Sequence, residues 1–394
     1  MSPPVSGRIG RVKPSPTLAA TARAAALRAE GKDIVSLTAG EPDFDTPAHI
    51  AEAGIAAIRG GRTRYTDVGG TPELKEAIIA KFEHDNGLRY ARNQVLVSSG
   101  AKQTIYNLCM AVLDAGDEVV IPAPYWVSYP DMVALADATP VIVPTGPEQG
   151  YRMTQAQLEA AITPRTRMLI LCSPSNPTGA AYSRADLAAL GAVLRRHPRV
   201  LVCTDDMYEK IWWADEPFST LAQVVPELYD RTITINGCSK AYAMTGWRIG
   251  YCGGPREIVT AMATVQGQST SNPCSISQAA AVAALRGDQD CVARMCAAYK
   301  ERHDFVVAGL NALPGVSALP GAGTFYAFAN VAGAMQRLGL ASDDEFTDRL
   351  LTQGGVAVVA GSGFGAPGHI RISFATSREQ LEKALHRLGD VLRG

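Results

Sequence analysis

Short apolar runs rich in Val and Ile alternate with helix-like stretches through the middle of the chain. Runs this short, separated by amphipathic stretches, indicate buried strands that are connected by helices. Such an alternation is typical of a mostly parallel sheet with helices on both faces, and it predicts a large, doubly wound α/β domain. The predicted strands are Val95–Val97, Val119–Ile121, Met168–Leu171, Val200–Cys203, Thr232–Ile235 and Ile249–Cys252.

Helix boundaries in this region are marked by hydroxyl residues that precede prolines. In Thr46-Pro47 and Thr71-Pro72 a capping side chain comes directly before a proline, which predicts helices whose first residues are Pro47 and Pro72. Gly87 is expected to end the second helix, because glycine readily adopts the left-handed conformation that closes many helices.

Towards the C-terminus the pattern changes to a long helix followed by strands and shorter helices, which predicts a smaller α+β domain. We expect residues 1–45 to form an N-terminal segment that packs with this domain, residues 46–290 to form the large domain, and residues 291–394 to form the small one. The individual predictions here are helices at Thr17–Ala29, Asp288–Leu313 and Asp343–Gln353, and strands at Thr324–Ala329, Val356–Ala360 and Ile370–Phe374.

Composition and charge exclude several classes of function. The chain has 394 residues, 47% of them hydrophobic, and 37 Lys and Arg against 38 Asp and Glu give a net charge of −1. This balance argues against electrostatic binding to nucleic acid or to a membrane surface. Eight cysteines without a C-x-x-C pair are interpreted as buried thiols in a reducing compartment. Because neither a signal peptide nor an apolar run of roughly 18 residues is recognisable, we expect a cytoplasmic protein.

In an open parallel sheet, ligands bind beyond the carboxyl ends of the strands. The first strand leads into Ser99-Gly100-Ala101-Lys102-Gln103, small residues at a helix start that can offer backbone N–H groups to a phosphate. A plain turn is the simpler interpretation of this segment alone. The segment does not match a Walker P-loop, because that motif would need glycine in place of Val95 and serine or threonine in place of Gln103. Ser99 to Lys102 also fits the S-x-x-K pattern of penicillin-recognising serine hydrolases, although no S-D-N or K-T-G motif accompanies it.

Polar side chains follow the later strands as well. Asn176 lies in a proline-rich loop, and Asp205 ends a strand with Tyr208 three residues further on. Alone, these residues are equally explained as a turn and a helix cap. Lys240 follows Ser239 and precedes Arg248 by eight positions, in a segment of glycines and aromatic residues that indicates close packing. That combination is far more specific than any of its parts.

Together these residues resemble the fold-type I, pyridoxal-phosphate-dependent aminotransferases of class I/II, and within them the bacterial aspartate aminotransferases. The resemblance covers nearly the whole chain and is carried by several ordered motifs. These include Lys13-Pro14-Ser15, Ala39-Gly40-Glu41-Pro42-Asp43-Phe44, Pro124-Tyr125-Trp126-Val127-Ser128-Tyr129-Pro130, the segment from Ser239 to Arg248, and Arg371-Ile372-Ser373-Phe374-Ala375.

The resemblance implies pyridoxal 5'-phosphate as the cofactor and no metal ion. Lys240 would form the Schiff base and then move the α-proton, and Asp205 would keep the pyridine nitrogen protonated. Tyr208 and Asn176 would hydrogen-bond the phenolic oxygen, and Trp126 would stack on the ring. The residues implied for the phosphate are Gly100, Ala101, Ser239 and Arg248, with Lys102 close by and Tyr65 contributed by the other subunit of a homodimer.

The same resemblance implies a substrate. Arg371 would bind the α-carboxylate in two parallel hydrogen bonds, helped by the backbone of Gly40 and by Trp126 and Asn176, while Lys102 would meet a distal carboxylate. We therefore expect transfer of the amino group of L-aspartate to 2-oxoglutarate. The alternative activities are those of an aspartate/prephenate aminotransferase and of a broader aromatic or alanine aminotransferase. The fold also supports decarboxylation, elimination and racemisation, so transamination rests on the closeness of the resemblance. Ala101 replaces a frequent glycine, which requires a negative φ there.

Overall fold

The computed structural model describes residues 5–393, so residues 1–4 and Gly394, at the ends of the predicted terminal segments, lie outside it. The strands are β1 (Val35–Ser36), β2 (Val95–Ser98), β3 (Glu118–Ala123), β4 (Thr139–Pro144), β5 (Thr166–Cys172), β6 (Leu201–Asp205), β7 (Thr232–Gly237), β8 (Gly250–Gly253), β9 (Ser317–Ala318), β10 (Tyr326–Asn330), β11 (Val356–Ala357), β12 (Val359–Ala360) and β13 (His369–Ser373). The helices are α1 (Pro16–Ala29), α2 (Ala48–Arg59), α3 (Pro72–Asn86), α4 (Ala101–Val112), α5 (Ser128–Leu135), α6 (Gln155–Ala161), α7 (Arg184–Arg196), α8 (Leu221–Val224), α9 (Arg256–Gly267), α10 (Ser275–Arg286), α11 (Asp290–Asn311), α12 (Ala332–Leu338), α13 (Asp343–Gly354) and α14 (Arg378–Arg393).

A seven-stranded sheet forms the centre of the larger part, with the strand order β2-β8-β7-β6-β5-β3-β4. Strands β3 to β7 run parallel to one another, whereas β8 is antiparallel to both β2 and β7. The reversal follows from the connection, because β7 reaches β8 through a compact turn segment rather than through a crossover helix. The predicted α/β fold with a mostly parallel sheet is therefore confirmed, and all six predicted strands of this sheet are present.

The pattern of apolar residues does not predict one strand of this sheet. Strand β4 lies at the edge, pairs with β3 alone, and exposes part of its length. Its sequence begins and ends with Thr139-Pro140 and Val143-Pro144. Proline is tolerated on an edge strand because the backbone groups on the outer side of such a strand need no partner in the sheet. The same prolines weaken the apolar pattern from which a strand is predicted.

The two predicted helix starts have different outcomes. The side chain of Thr71 accepts a hydrogen bond from the backbone N–H of Leu74 at 3.3 Å, and Gly87 ends the helix with φ +64°, as predicted. The prediction for Thr46-Pro47 is wrong, because α2 begins one residue later and has no side-chain cap. The hydroxyl of Thr46 instead donates to the carbonyl of Ala243 at 2.6 Å. A tertiary contact thus replaces the local cap.

The C-terminal part forms an antiparallel sheet in the order β12-β13-β10-β9. The strand predicted over Val356–Ala360 is divided: β11 pairs in parallel with β1, whereas β12 pairs with β13. Helix α1 and strand β1 thereby join the C-terminal part, where Ala24 and Ile34 pack with Leu351 and Ala357. This arrangement brings the N-terminal segment close to the carboxyl ends of the parallel strands of the large sheet.

A buried ion pair supports the turn that follows β6. Lys81 of α3 forms a salt bridge with Glu209 and donates to the side chain of Asn86 at 2.8 Å, and Asn86 donates to Glu209 at 2.9 Å. Each charge is therefore satisfied although water is excluded. The turn carries Tyr208, so α3 fixes the backbone of a predicted site residue.

The cysteine prediction holds for half of the set. Cys109, Cys203, Cys238 and Cys252 are buried, whereas Cys172, Cys291 and Cys296 are half-buried and Cys274 is exposed. All eight are free thiols. Over residues 5–393, no helix combines the length and the apolar character that crossing a membrane requires.

Candidate active site

A cavity of about 460 Å³ lies at the carboxyl ends of the parallel strands, where the N-terminal segment and the C-terminal sheet meet the large sheet. All but two of the predicted site residues line it. They are Gly40, Ala101, Lys102, Trp126, Asn176, Asp205, Tyr208, Ser239, Lys240, Arg248 and Arg371. Gly100 is adjacent, as the residue that caps α4. Tyr65 is 93% exposed and does not line the cavity, so its assignment to another subunit's site stays a prediction.

Lys240 follows β7 in the turn segment and directs its amine into the cavity. The Nζ atom donates to the carbonyl oxygen of Gly40 at 2.5 Å. Burial is the main reason why the pKa of Lys240 falls to about 8, and the positive charges of Arg248 and Arg371 lower it further. At pH 7 the amine is therefore mostly charged, but about a tenth of it is uncharged, the form that a nucleophile or a proton acceptor requires.

Asp205 is the last residue of β6 and is only 6% exposed. One carboxylate oxygen accepts a hydrogen bond from the hydroxyl of Tyr129 at 2.5 Å, and the other accepts from the backbone N–H of Met207 at 3.3 Å. Burial raises the pKa of Asp205, while Tyr129, Met207 and the charge of Lys240 act in the opposite direction. This buried carboxylate can hold a proton on a ring nitrogen placed against it.

A second wall of the cavity is built around Arg371, which β13 places in a site only 1% exposed. Its two Nη atoms donate to the side-chain oxygen of Asn176 at 3.0 Å and to the carbonyl of Thr38 at 2.7 Å. Its Nε has no partner among the described residues. Arg371 thus has neutral acceptors and spare N–H groups, which suits it to bind a carboxylate ligand.

The N-terminus of α4 forms an anion-binding corner. Gly100 has φ +88°, and a Cβ atom there would collide with the guanidinium of Arg248. Arg248 is held in this position by hydrogen bonds to the carbonyls of Thr245 at 3.0 Å and Ser99 at 3.4 Å. Ala101 is helical and has no positive φ, so the departure from glycine is tolerated as expected. The helix terminus, the guanidinium and Ser239 together suit a phosphate group.

Lys102 stands at the mouth of the cavity beside Trp126. Its amine lies 5.0 Å from the centroid of the indole ring, and partial burial and the charge of Arg248 lower its pKa. The cavity therefore holds four cationic side chains against the two carboxylates of Asp205 and Glu41. Those cations are Lys102, Lys240, Arg248 and Arg371. An excess of positive charge fits a phosphate-bearing cofactor together with a substrate that carries two carboxylates.

The serine hydrolase alternative receives no support from this geometry. Ser99 does not line the cavity, and its backbone is engaged by Gln103 and Arg248. Over residues 5–393, its hydroxyl makes no hydrogen bond to Lys102. A serine nucleophile needs a base within hydrogen-bond reach, and the pair lacks this contact.

The sequence assigns no role to three residues that lie in or beside the site. They are Tyr129, which donates a hydrogen bond to Asp205; Tyr326, whose ring lies against the guanidinium of Arg371; and Thr38, whose carbonyl accepts a hydrogen bond from Arg371. Tyr129 carries a weak signal, because it follows Trp126 by three positions at the start of α5. Tyr326 and Thr38 carry none, since each is an ordinary residue of an apolar stretch.

Comparisons with known proteins identify the family. The sequence model described as "Aminotransferase class I and II" matches residues 32–388. The chain is 53% identical to the aspartate/prephenate aminotransferase of Nitrosomonas europaea, over 98% of this chain and 99% of that one. It is 50% identical to the aspartate aminotransferase of Rhizobium meliloti strain 1021, over 97% and 95% of the two chains.

Solved structures agree with the sequence relatives. The crystal structure of the aspartate aminotransferase from Rhizobium meliloti superposes with a TM-score of 0.95 at 49% identity, covering 100% of this chain and 99% of that one. The aspartate aminotransferase of Thermus thermophilus with maleate gives 0.93 at 43% identity, covering 99% and 100%. This chain therefore belongs to the class I and II aminotransferase family and is a pyridoxal-phosphate-dependent aminotransferase.

Proposed function

We propose that this chain transfers the amino group of L-aspartate to 2-oxoglutarate, giving oxaloacetate and L-glutamate. The observation that carries the proposal is the presence of two separate cations for carboxylates in one cavity, Arg371 in its wall and Lys102 at its mouth. The relatives named aspartate aminotransferase support the same substrate. The proposal assigns Arg371 to the α-carboxylate that all amino acids share and Lys102 to the distal carboxylate.

Pyridoxal 5'-phosphate, when bound, supplies an electron sink that lets an amino acid release its α-proton. In this proposal the Nζ atom of Lys240 would hold the cofactor covalently until the amino group of the substrate displaces it, and the freed amine would then move the α-proton of the substrate. The carboxylate of Asp205 holds a proton on the ring nitrogen, with Tyr129 fixing its direction. The hydroxyl of Tyr208 and the amide of Asn176 are assigned to the phenolic oxygen.

The remaining assignments concern binding. Trp126 would cover one face of the ring, and its contact with Lys102 places the amine assigned to the distal carboxylate beside that indole. The phosphate group is assigned to the corner at the start of α4, formed by Gly100, Ala101, Ser239 and Arg248. The backbone of Gly40 is assigned to the substrate side of Lys240, since its carbonyl already contacts that amine.

A second candidate function is a dual aspartate/prephenate aminotransferase. The relative from Nitrosomonas europaea carries that name. Prephenate has a ring carboxylate in addition to the carboxylate of its side chain, and the amine of Lys102 could bind it. A panel of amino donors with 2-oxoglutarate, and of prephenate with aspartate or glutamate as donor, separates this function from a strict aspartate enzyme and from a broader aromatic or alanine aminotransferase.

The two carboxylate sites are separated by two alanine variants. Arg371→Ala is expected to lower kcat/KM for every amino donor. Lys102→Ala should lower kcat/KM for aspartate and glutamate much more than for alanine or phenylalanine. A hydrogen bond to a charged group contributes about 1.5–3 kcal/mol, so the ratio of kcat/KM between acidic and neutral donors should fall by roughly 10- to 100-fold in Lys102→Ala.

Steady-state kinetics with the four donors measure this ratio. Lys32→Ala is the matched control, because Lys32 is a surface lysine outside the cavity and should leave the ratio unchanged. Equal losses for acidic and neutral donors in Lys102→Ala would remove Lys102 from substrate recognition.

We also propose that the active unit is a homodimer with shared sites. The support is that Tyr65 is exposed and that α2, which precedes it along the chain, leaves the apolar side chains of Ile55 and Ile58 exposed as well. In the proposal, Tyr65 reaches the phosphate corner of the other subunit, and each site of a two-fold dimer is completed in the same way.

Hybrid dimers test this assembly. Mixing Lys240→Ala with Tyr65→Ala subunits places both defects in one site and leaves the other site intact. We expect refolded mixtures, purified through two different tags, to recover up to half of the wild-type activity per hybrid dimer when both parents are strongly impaired. Verified hybrids without recovery, or an active monomer in sedimentation, would contradict the shared site.

The division of the chain at about residues 45 and 290 and a cytoplasmic location also belong to this proposal. The parallel pairing of β1 with β11 supports grouping the N-terminal segment with the C-terminal domain. The eight free thiols support a reducing compartment.

A further inference from the structure

Tyr326 contacts both Tyr208 and Arg371, although it lies in neither of the sequence motifs that contain them. It is the first residue of β10, it lines the cavity, and it is 1% exposed. Its hydroxyl lies 3.1 Å from the hydroxyl of Tyr208. Its ring centroid lies 4.4 Å from the Cζ atom of Arg371. One side chain thus contacts both the residue assigned to the phenolic oxygen and the residue assigned to the α-carboxylate.

The contact with Arg371 is determined by the register of the sheet. Arg371 of β13 stands opposite Phe328 of β10, and Tyr326 is two residues from Phe328 on the same face. Tyr326 is therefore the diagonal neighbour of Arg371, a distance that an aromatic side chain spans. The ring centroid of Phe364 also lies close to the guanidinium, 5.0 Å from the Cζ atom of Arg371. Because the partners of Arg371 are neutral, these rings hold the charge in place without occupying the N–H groups that a carboxylate needs.

The contact with Tyr208 determines the direction in which the O–H group of Tyr208 can donate a hydrogen bond. Two hydroxyl groups at hydrogen-bond distance share one donated proton, and the other proton is free for a different acceptor. If Tyr326 donates to Tyr208, then the O–H of Tyr208 is free to point at the cofactor. The charge of Arg371 favours this arrangement, because it is the strongest influence that offsets burial for the pKa of Tyr326, whereas for Tyr208 it is the weakest of the influences and the pKa stays far above its usual range.

We propose that Tyr326 is a positioning residue for both halves of the site: its hydroxyl directs the Tyr208 O–H towards the phenolic oxygen of the cofactor, and its ring holds the guanidinium of Arg371. The inference rests on the proposed function, because it takes Tyr208 and Arg371 in the roles assigned above. It predicts that the two contacts of Tyr326 are separable, since one belongs to the hydroxyl and the other to the ring.

Two variants separate the contacts. Tyr326→Phe removes the hydroxyl and keeps the ring, so we expect kcat to fall about 2- to 10-fold while KM for aspartate stays within about twofold of wild type. The pH midpoint of the visible absorbance of the cofactor-loaded protein should rise by about half to one pH unit, because a donor to the negatively charged phenolic oxygen is weakened. Tyr326→Leu removes both contacts, and KM should rise for acidic and neutral donors alike.

A double-mutant cycle with Tyr208→Phe makes the test specific. Once the Tyr208 hydroxyl is gone, Tyr326→Phe should cause no further shift of the absorbance midpoint, because the hydroxyl has nothing left to orient. Tyr182→Phe is the matched control: it also removes a buried tyrosine hydroxyl, one that accepts a hydrogen bond from the backbone N–H of Met153 at 2.9 Å, but Tyr182 does not line the cavity. It should shift neither the midpoint nor KM.

The outcomes distinguish this inference from the proposed function. The midpoint is measured without substrate, so it does not depend on which amino acid the enzyme uses, whereas failure of the aspartate assignment would show in the wild-type protein. A Tyr326→Phe protein with the wild-type midpoint, or equal shifts from Tyr326→Phe with and without the Tyr208 hydroxyl, would overturn the inference. An unchanged KM in a folded Tyr326→Leu protein would overturn its Arg371 half.

Discussion

Asp205→Ala is expected to lower kcat for aspartate by about 10³-fold or more while the protein still folds and still binds pyridoxal 5'-phosphate. An opposite charge beside an ionisable group shifts its pKa by about 1–3 units, and each unit changes the protonated population tenfold. The buried carboxylate of Asp205 has this effect on a ring nitrogen placed against it, because no water competes with the interaction. Its removal therefore affects turnover far more than folding.

Two companion variants make the Asp205 prediction specific. Asp205→Glu keeps the charge and should retain more activity than Asp205→Ala. Tyr129→Phe keeps the carboxylate but removes the hydrogen bond of 2.5 Å that orients it, and we expect a loss of about tenfold. Stopped-flow turnover, with thermal unfolding as the measure of stability, checks all three. Near-normal turnover of Asp205→Ala would show that this carboxylate serves only the fold.

Lys240→Ala is expected to lower turnover by about 10⁴-fold or more, since the variant lacks the only amine assigned to carry the α-proton. General acid–base catalysis alone contributes roughly 10²- to 10⁴-fold, and the residue also joins the cofactor to the protein. The pKa of about 8 explains why lysine suits this role in the cavity, as the amine can both lose and regain a proton near neutral pH.

Lys240→Arg distinguishes proton transfer from simple charge. Arginine keeps a cation near Gly40 but does not release its proton in this pH range, so the variant should be as inactive as Lys240→Ala. Single-turnover measurements with aspartate detect the difference, because they report the proton-transfer step before product release. Substantial activity of Lys240→Arg would mean that another group moves the α-proton.

Much of this site could be predicted from the sequence because its residues follow strands. Asp205 ends β6, Asn176 follows β5, and Lys240 follows β7, so the topology of a parallel sheet brings them to one edge. The strands themselves are visible as short apolar runs. The resemblance to known aminotransferases then added roles that spacing alone left open, including those of Arg371 and Lys102.

Contacts between distant parts of the chain could not be predicted in this way. Tyr326 meets Tyr208 only because the C-terminal sheet packs against the end of the large one, and the sequence separates them by 118 positions. Thr46 uses its hydroxyl for Ala243 instead of capping α2. The division of residues 356–360 between two sheets depends on where β1 docks. Each of these outcomes is determined by tertiary packing rather than by a local pattern.

Lys240 carries the cofactor in the proposed function, and the mass of the labelled peptide tests this most directly. Protein loaded with pyridoxal 5'-phosphate should absorb visible light, and borohydride reduction should abolish the band and fix the cofactor covalently. Digestion and mass spectrometry should then place the added mass on Lys240 alone. An adduct on a different lysine, no adduct at all, or labelling of Ser99 by a β-lactam would contradict the account.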